Sequence, residues 1–172
     1  MITSCEVIMP EGSLPLSYTW LKLLHLLGVV LFMGNLIVTG VWMLLAERTK
    51  DPATLYFASK TTSLADLFFT LPGIVLILFN GMVLSIRWGG IIQTSWITAG
   101  LALFGMSGLI WMAFLLRYQR RLIRIAGQAV RTKSPLPDEF FRILHRWYFW
   151  GTLATILPLI TMALMVLKPK LW

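Results

Sequence analysis

Charge is what this chain has least of. Only 13% of its 172 residues are Asp, Glu, Lys or Arg, whereas roughly a quarter is usual in a soluble domain. A water-soluble globule is thereby excluded. With 58% hydrophobic residues and a mean hydropathy of +0.78, the chain reads as an integral membrane protein. Cysteine is nearly absent: Cys5 stands alone, so no intrachain disulfide and no thiolate metal cluster can be built from this chain by itself. Histidine is almost as scarce, with only His25 and His145. The motifs G-x-x-x-x-G-K-[ST] and H-E-x-x-H are missing, as is any pair of intramembrane carboxylates. That removes phosphate-loop NTPases, zinc proteases and a proton path of paired acids. Asp66 is read at the mouth of the second span and Glu47 just outside the first. The N-terminus has no basic stretch of the signal-peptide kind; its charges, Glu6 and Glu11, are acidic, so the first helix is expected to be retained.

Long apolar runs are there in place of what is missing. They cover about 16–46, 67–86, 91–116 and 147–167. Runs of about twenty residues select helices over the alternating strands of a barrel. The expected fold is all-α: a polytopic membrane protein, residues 1–172 forming a single four-helix transmembrane bundle. Eleven of the fifteen Lys and Arg fall after the first and third runs, among them Arg48, Lys60, Arg117, Arg120, Arg121, Arg124 and Arg131. The positive-inside rule puts those loops in the cytoplasm and both termini on the periplasmic side. Residues 117–146 read as a basic loop whose first part, with Leu122, Ile123, Ala126 and Val130 between arginines, is an amphipathic extension of the third helix. Asp138 and Glu139 open another helix after Pro137. The net charge of +8 points to anionic lipid headgroups rather than nucleic acid. Homo-oligomers or a larger membrane complex are the expected protein partners.

His25 is the residue to explain, because an ionisable side chain within a span is a functional-site hypothesis by default. It shares one helical face with Gly28, Phe32, Asn35 and Thr39, a polar and small-residue stripe that should face other helices. Counted inward from Trp20, Trp88 and Lys168 at the outer interface, His25, Asn80, Met82, Thr161 and Met162 stand at similar depth. Either His25 is structural, hydrogen-bonded to Asn80 or a backbone carbonyl, or it ligates a metal or haem, with Met82 or Met162 as candidate opposite ligands. Lys22 and Arg87 are placed to meet haem propionates. His145 belongs to the other interface, of order 20 to 25 Å away, and so cannot share a haem with His25. Pro72 and Pro158 are expected to kink their spans, with hydroxyls such as Thr70, Thr155 and Thr161 available for the freed carbonyls.

WLKLLHLLGVVLFMGN at 20–35, DLFFTLPGIVLILFNGMVL at 66–84, FFRILHRWYFW at 140–150 and VLKP at 166–169 resemble a bacterial family of predicted integral membrane proteins of unknown function. The chain looks like a relative of the HemJ-type protoporphyrinogen oxidases and the CopD-type copper-resistance membrane proteins. In the HemJ relatives the helix-one histidine ligates haem, which implies a b-type haem on His25. The arginine and lysine of the HemJ pattern have no counterpart in residues 38–41 and 91–116, which are uncharged. The resemblance thus implies haem binding or redox work in a bacterial inner membrane more than the oxidase reaction. An accessory subunit and a copper-handling protein are the other expected roles.

Overall fold

In lipid each backbone N–H and C=O has to be satisfied within its own segment, and this chain does so with helices throughout the residues described, 16–171. Cys5, Glu6 and Glu11 lie outside them. A computed structural model shows four helices long and apolar enough to cross a membrane: α1 (Leu16–Thr49), α2 (Pro52–Trp88), α3 (Ser95–Thr132) and α4 (Asp138–Leu167).

All four reach beyond their apolar runs, and two of them start where the sequence pattern does not place a start. The second helix starts at Pro52 rather than near 67 because Asp51 caps it, its carboxylate accepting from the Thr54 backbone N–H at 2.8 Å, with Pro52 in the first turn. The third starts at Ser95 rather than 91, since Gly89 and Gly90 turn the chain with φ of 87° and 93°. Residues 117–146 are mostly helix, as the amphipathic pattern and the acidic first turn of α4 foretell. At ~1.5 Å per residue α2 and α3 are each about 55 Å long, well beyond a ~30 Å hydrocarbon core. The excess lies at the end of the bundle that carries most of the arginines, here termed the basic end.

There α2 and α3 cross, and the amphipathic stretch of α3 turns Leu122, Ala126 and Ala129 inward while its arginines stay exposed. Met43, Leu55, Leu122, Phe140 and Leu144 form the best-sealed part of the core. At the opposite end the helices pair off. The second half of α2 packs on α1 through glycines: a Cβ on Gly28 would lie 2.8 Å from the Leu76 Cβ and 2.9 Å from the Gly73 carbonyl oxygen. The first half of α3 packs on α4, where the Thr161 hydroxyl donates to the Gly100 carbonyl at 3.1 Å. Of the helix pairs that pack on each other, α1 and α4 make the slightest contact.

Two wide π-type turns interrupt the long helices, Asp66–Thr70 in α2 and Trp111–Leu115 in α3. The first precedes Pro72, whose ring would clash with the carbonyl four residues back in a regular helix. Pro158 frees the Ala154 carbonyl, and the hydroxyl that takes it is none of the three expected threonines but Ser107, which donates across from α3 at 2.6 Å.

Candidate functional site

The imidazole of His25 is half-buried against α2, with Nδ1 3.0 Å from the Ile77 carbonyl oxygen. A carbonyl only accepts, so Nδ1 carries the proton and donates. The other ring nitrogen, Nε2, has no hydrogen-bond partner among the described residues. Gly81 makes room for the ring, since a Cβ there would stand 3.1 Å from the His25 Cε1. Of the two structural partners weighed for His25, the backbone carbonyl is the one present. The Asn80 amide instead donates to the Leu76 carbonyl of its own helix at 2.8 Å, leaving its Oδ1 buried and unpaired.

The remaining candidates are spread around this end. Met82 and Met162 are exposed on the outer surface. Lys22 is exposed, and the exposed Arg87 guanidinium lies over the Tyr18 ring, 4.4 Å from its centroid. Thr161 belongs to the α3/α4 pair. His145 sits at the basic end, donating from Nδ1 to the Phe141 carbonyl at 2.7 Å, with Nε2 3.7 Å from a Glu47 carboxylate oxygen. The stretch of α1 between His25 and Glu47 spans about 33 Å, so the separation exceeds the one read from the sequence. Among the described residues no three His, Cys, Asp or Glu side chains stand together as a metal site.

A second constellation lies deeper, and sequence reasoning missed it. Asp66 is not at the mouth of a span: with α2 starting at Pro52, a 14-residue helical stretch precedes it. Only 5% of the residue is exposed. Its Oδ1 accepts from the Asn35 amide at 2.9 Å and the Thr70 hydroxyl at 3.0 Å, and its Oδ2 from the Gln119 amide at 2.7 Å. The Asn35 amide also donates to the Thr70 hydroxyl oxygen at 2.8 Å. Three helices thus meet on one carboxyl through neutral donors. The Trp111 indole stands beside it, its N–H without a hydrogen-bond partner.

A cavity of about 390 Å³ borders this network, walled by α1 at Thr39 and Gly40, α2 at Thr62 and Asp66, and the facing sides of α3 and α4. Five residues on its wall carry a buried polar atom with no partner: Thr62, Trp111, Gln119, Trp147 and Tyr148. A second, more apolar cavity of about 310 Å³ shares Leu36, Trp111 and Ala154 with the first. His25 lines neither. The readable sign of this site was Gln119, a polar residue on the buried face of an amphipathic helix between Leu115 and Leu122.

A family model described as predicted integral membrane protein (DUF2269) matches residues 19–169. The chain belongs to this family. It is accordingly an integral, multi-pass membrane protein, in contact with lipid along its four apolar helices. The match runs from the first turns of α1 to just past α4, so His25 and the Asp66 network both fall inside it. No curated protein and no solved structure matches the chain.

Proposed function

We propose that this protein holds a b-type haem on His25 and serves redox or haem-related chemistry in the bacterial inner membrane, its basic end in the cytoplasm and its termini in the periplasm. The observation that carries the reading is the Nδ1–H donated to the Ile77 carbonyl. Histidines that ligate metals commonly tie their second nitrogen to a backbone carbonyl or carboxylate, which fixes the tautomer and leaves Nε2 as the ligating atom. The resemblance to HemJ-type proteins supports the same residue.

The neighbouring groups fit such a cofactor in kind. Gly81 leaves the ring edge uncovered, and Lys22 and Arg87 supply cations at the same end for propionate groups. Asn80 offers an unpaired acceptor, while Met82 is the thioether of this set, exposed at its place on α2. A haem with one protein ligand supplies one-electron transfer or an open iron position. The chain's own part is to hold the imidazole in one tautomer and one orientation.

The test is an absorption spectrum of the purified protein. A Soret band that His25→Ala abolishes and His145→Ala preserves is expected. A preparation that stays colourless when expressed with ample haem overturns the proposal. Stable co-purification with a larger membrane complex, indifferent to His25→Ala, would move the reading to an accessory subunit. Copper that follows His25 in metal analysis would move it to copper handling.

A further inference from the structure

Independently of His25, we infer that the cavity beside Asp66 binds a lipophilic organic cation, an amine or quaternary ammonium on an apolar body, entering from the bilayer between α1 and α4. Charge balance is the first argument. Asn35, Thr70 and Gln119 are neutral, and the His145 contact with the Glu47 carboxylate, beside Tyr148, involves neither Asp66 nor its hydrogen-bond partners. A carboxylate this deep needs either a proton or a cation as its counterpart.

The wall says which cation. Trp111, Trp147 and Tyr148 bring aromatic rings to the cavity, and such rings attract organic cations. An inorganic ion would ask for six or more oxygen ligands, whereas Leu36, Leu44 and Leu115 make much of this wall aliphatic. The volume of about 390 Å³ falls within the usual span of small-ligand pockets. Both π-type turns border the site, through Asp66 and Trp111, and such turns recur at functional positions.

Access is lateral. Ile37, Val41 and Leu44 of α1 and Ile156 and Leu159 of α4 line the cavity and are also exposed on the outer surface. Of the helix pairs that pack on each other, these two make the slightest contact. A ligand dissolved in lipid reaches Asp66 without crossing to water.

Binding exchanges one cation for one proton. The Asp66 O–H bond breaks, the proton leaves to solvent and the carboxylate faces the incoming cation, so the site stays neutral. Gln119 suits both states: its amide N–H donates to the carboxylate, and turned over, its presently unpaired Oε1 accepts from the acid. The other ionisable groups at this cavity are Tyr148 and, beside it, Glu47.

The experiment uses the full chain in lipid nanodiscs with ethidium, a quaternary aromatic cation, as probe and phenanthridine as its uncharged core. Saturable ethidium binding is expected, with calorimetry in different buffers giving about one proton released per cation bound. Asp66→Asn should weaken it about tenfold or more, as loss of one partner of a buried charge pair does. Gly40→Leu should do the same by filling the cavity, since a Cβ at Gly40 meets nothing within 4 Å. This second variant decides the matter should Asp66→Asn fail to fold. His25→Ala should leave ethidium binding unchanged, which separates this result from the haem test. Equal affinity in Gly40→Leu, displacement by phenanthridine as effective as by a second cation, competition by sodium at like concentration, or no binding by folded protein would each overturn the inference.

Discussion

Ala154 depends for its hydrogen bond on a residue 47 positions away. Pro158 has no N–H to offer the carbonyl four residues back, and hydrocarbon has no water to replace it. The Ser107 hydroxyl therefore holds α4 to α3 at the point where α4 is weakest. Ser107→Ala should cost about 1–3 kcal/mol, read as a lower unfolding temperature in detergent. In a Pro158→Ala background the same change should cost much less, because the helix again supplies its own donor; equal costs in both backgrounds would show that the two residues are not coupled. Asn80 poses the opposite case at the same scale. Its amide N–H is spent on its own helix, so its depth, which matched that of His25, did not translate into a bond. Depth is readable by counting residues; which of two neighbouring acceptors an amide chooses is not.

At the scale of the helix, the start of α2 shows how a few polar atoms extend an element beyond its apolar run. PATLYFASKTTSLA carries too many hydroxyls to look like a span. It is helical because Asp51 caps it and because Leu55, Ala58 and Thr62 find α3 across the interface. The Thr54 hydroxyl and backbone N–H hold the Asp51 carboxyl below its ordinary value of 3.8. A depressed carboxylate contributes its stabilisation fully above the unfolded pKa and loses it as pH falls through the lower, folded one. The protection of the Thr54 and Leu55 amides against exchange, taken relative to the intrinsic rate at each pH, should therefore fall on acidification below about pH 4. Asp51→Asn, which keeps a capping oxygen but does not titrate, should abolish that pH dependence; an unchanged profile would mean the cap is not what starts the helix.

The molecule as a whole is two helical pairs tied together at the basic end, where the exposed arginines of α3 surround the junction. Anionic headgroups should tighten that tie by about 1 kcal/mol per engaged Lys or Arg. Raising the anionic lipid content of nanodiscs is expected to raise the unfolding temperature. Salt near 1 M should erase the gain by screening, as should glutamates at Arg120, Arg121 and Arg124. Stability indifferent to lipid charge would assign these arginines to plain solvation.

The helices and the amphipathic stretch were legible because period and length are local properties of the chain. The Asp66 network was not, because its partners lie 31 and 53 residues away and each looks ordinary alone. Asn35 sat on a stripe assigned to His25, and Asp66 looked like the polar edge of a span whose true start was hidden by the cap.

The two π-type turns give the chain an odd kind of arithmetic. Each is one residue longer than a regular turn, so a single deletion within Trp111–Leu115 would restore ordinary winding and leave all four helices intact. Because the wide turn absorbs its extra residue locally, Ser95–Ile110 and Leu116–Thr132 would keep nearly the same facing. Ser107 would stay at Ala154 and Gln119 at Asp66. A deletion in the regular winding on either side would conserve the hydropathy and the number of spans just as well, and yet turn the two halves by about 100° and sever one end of the molecule from the other.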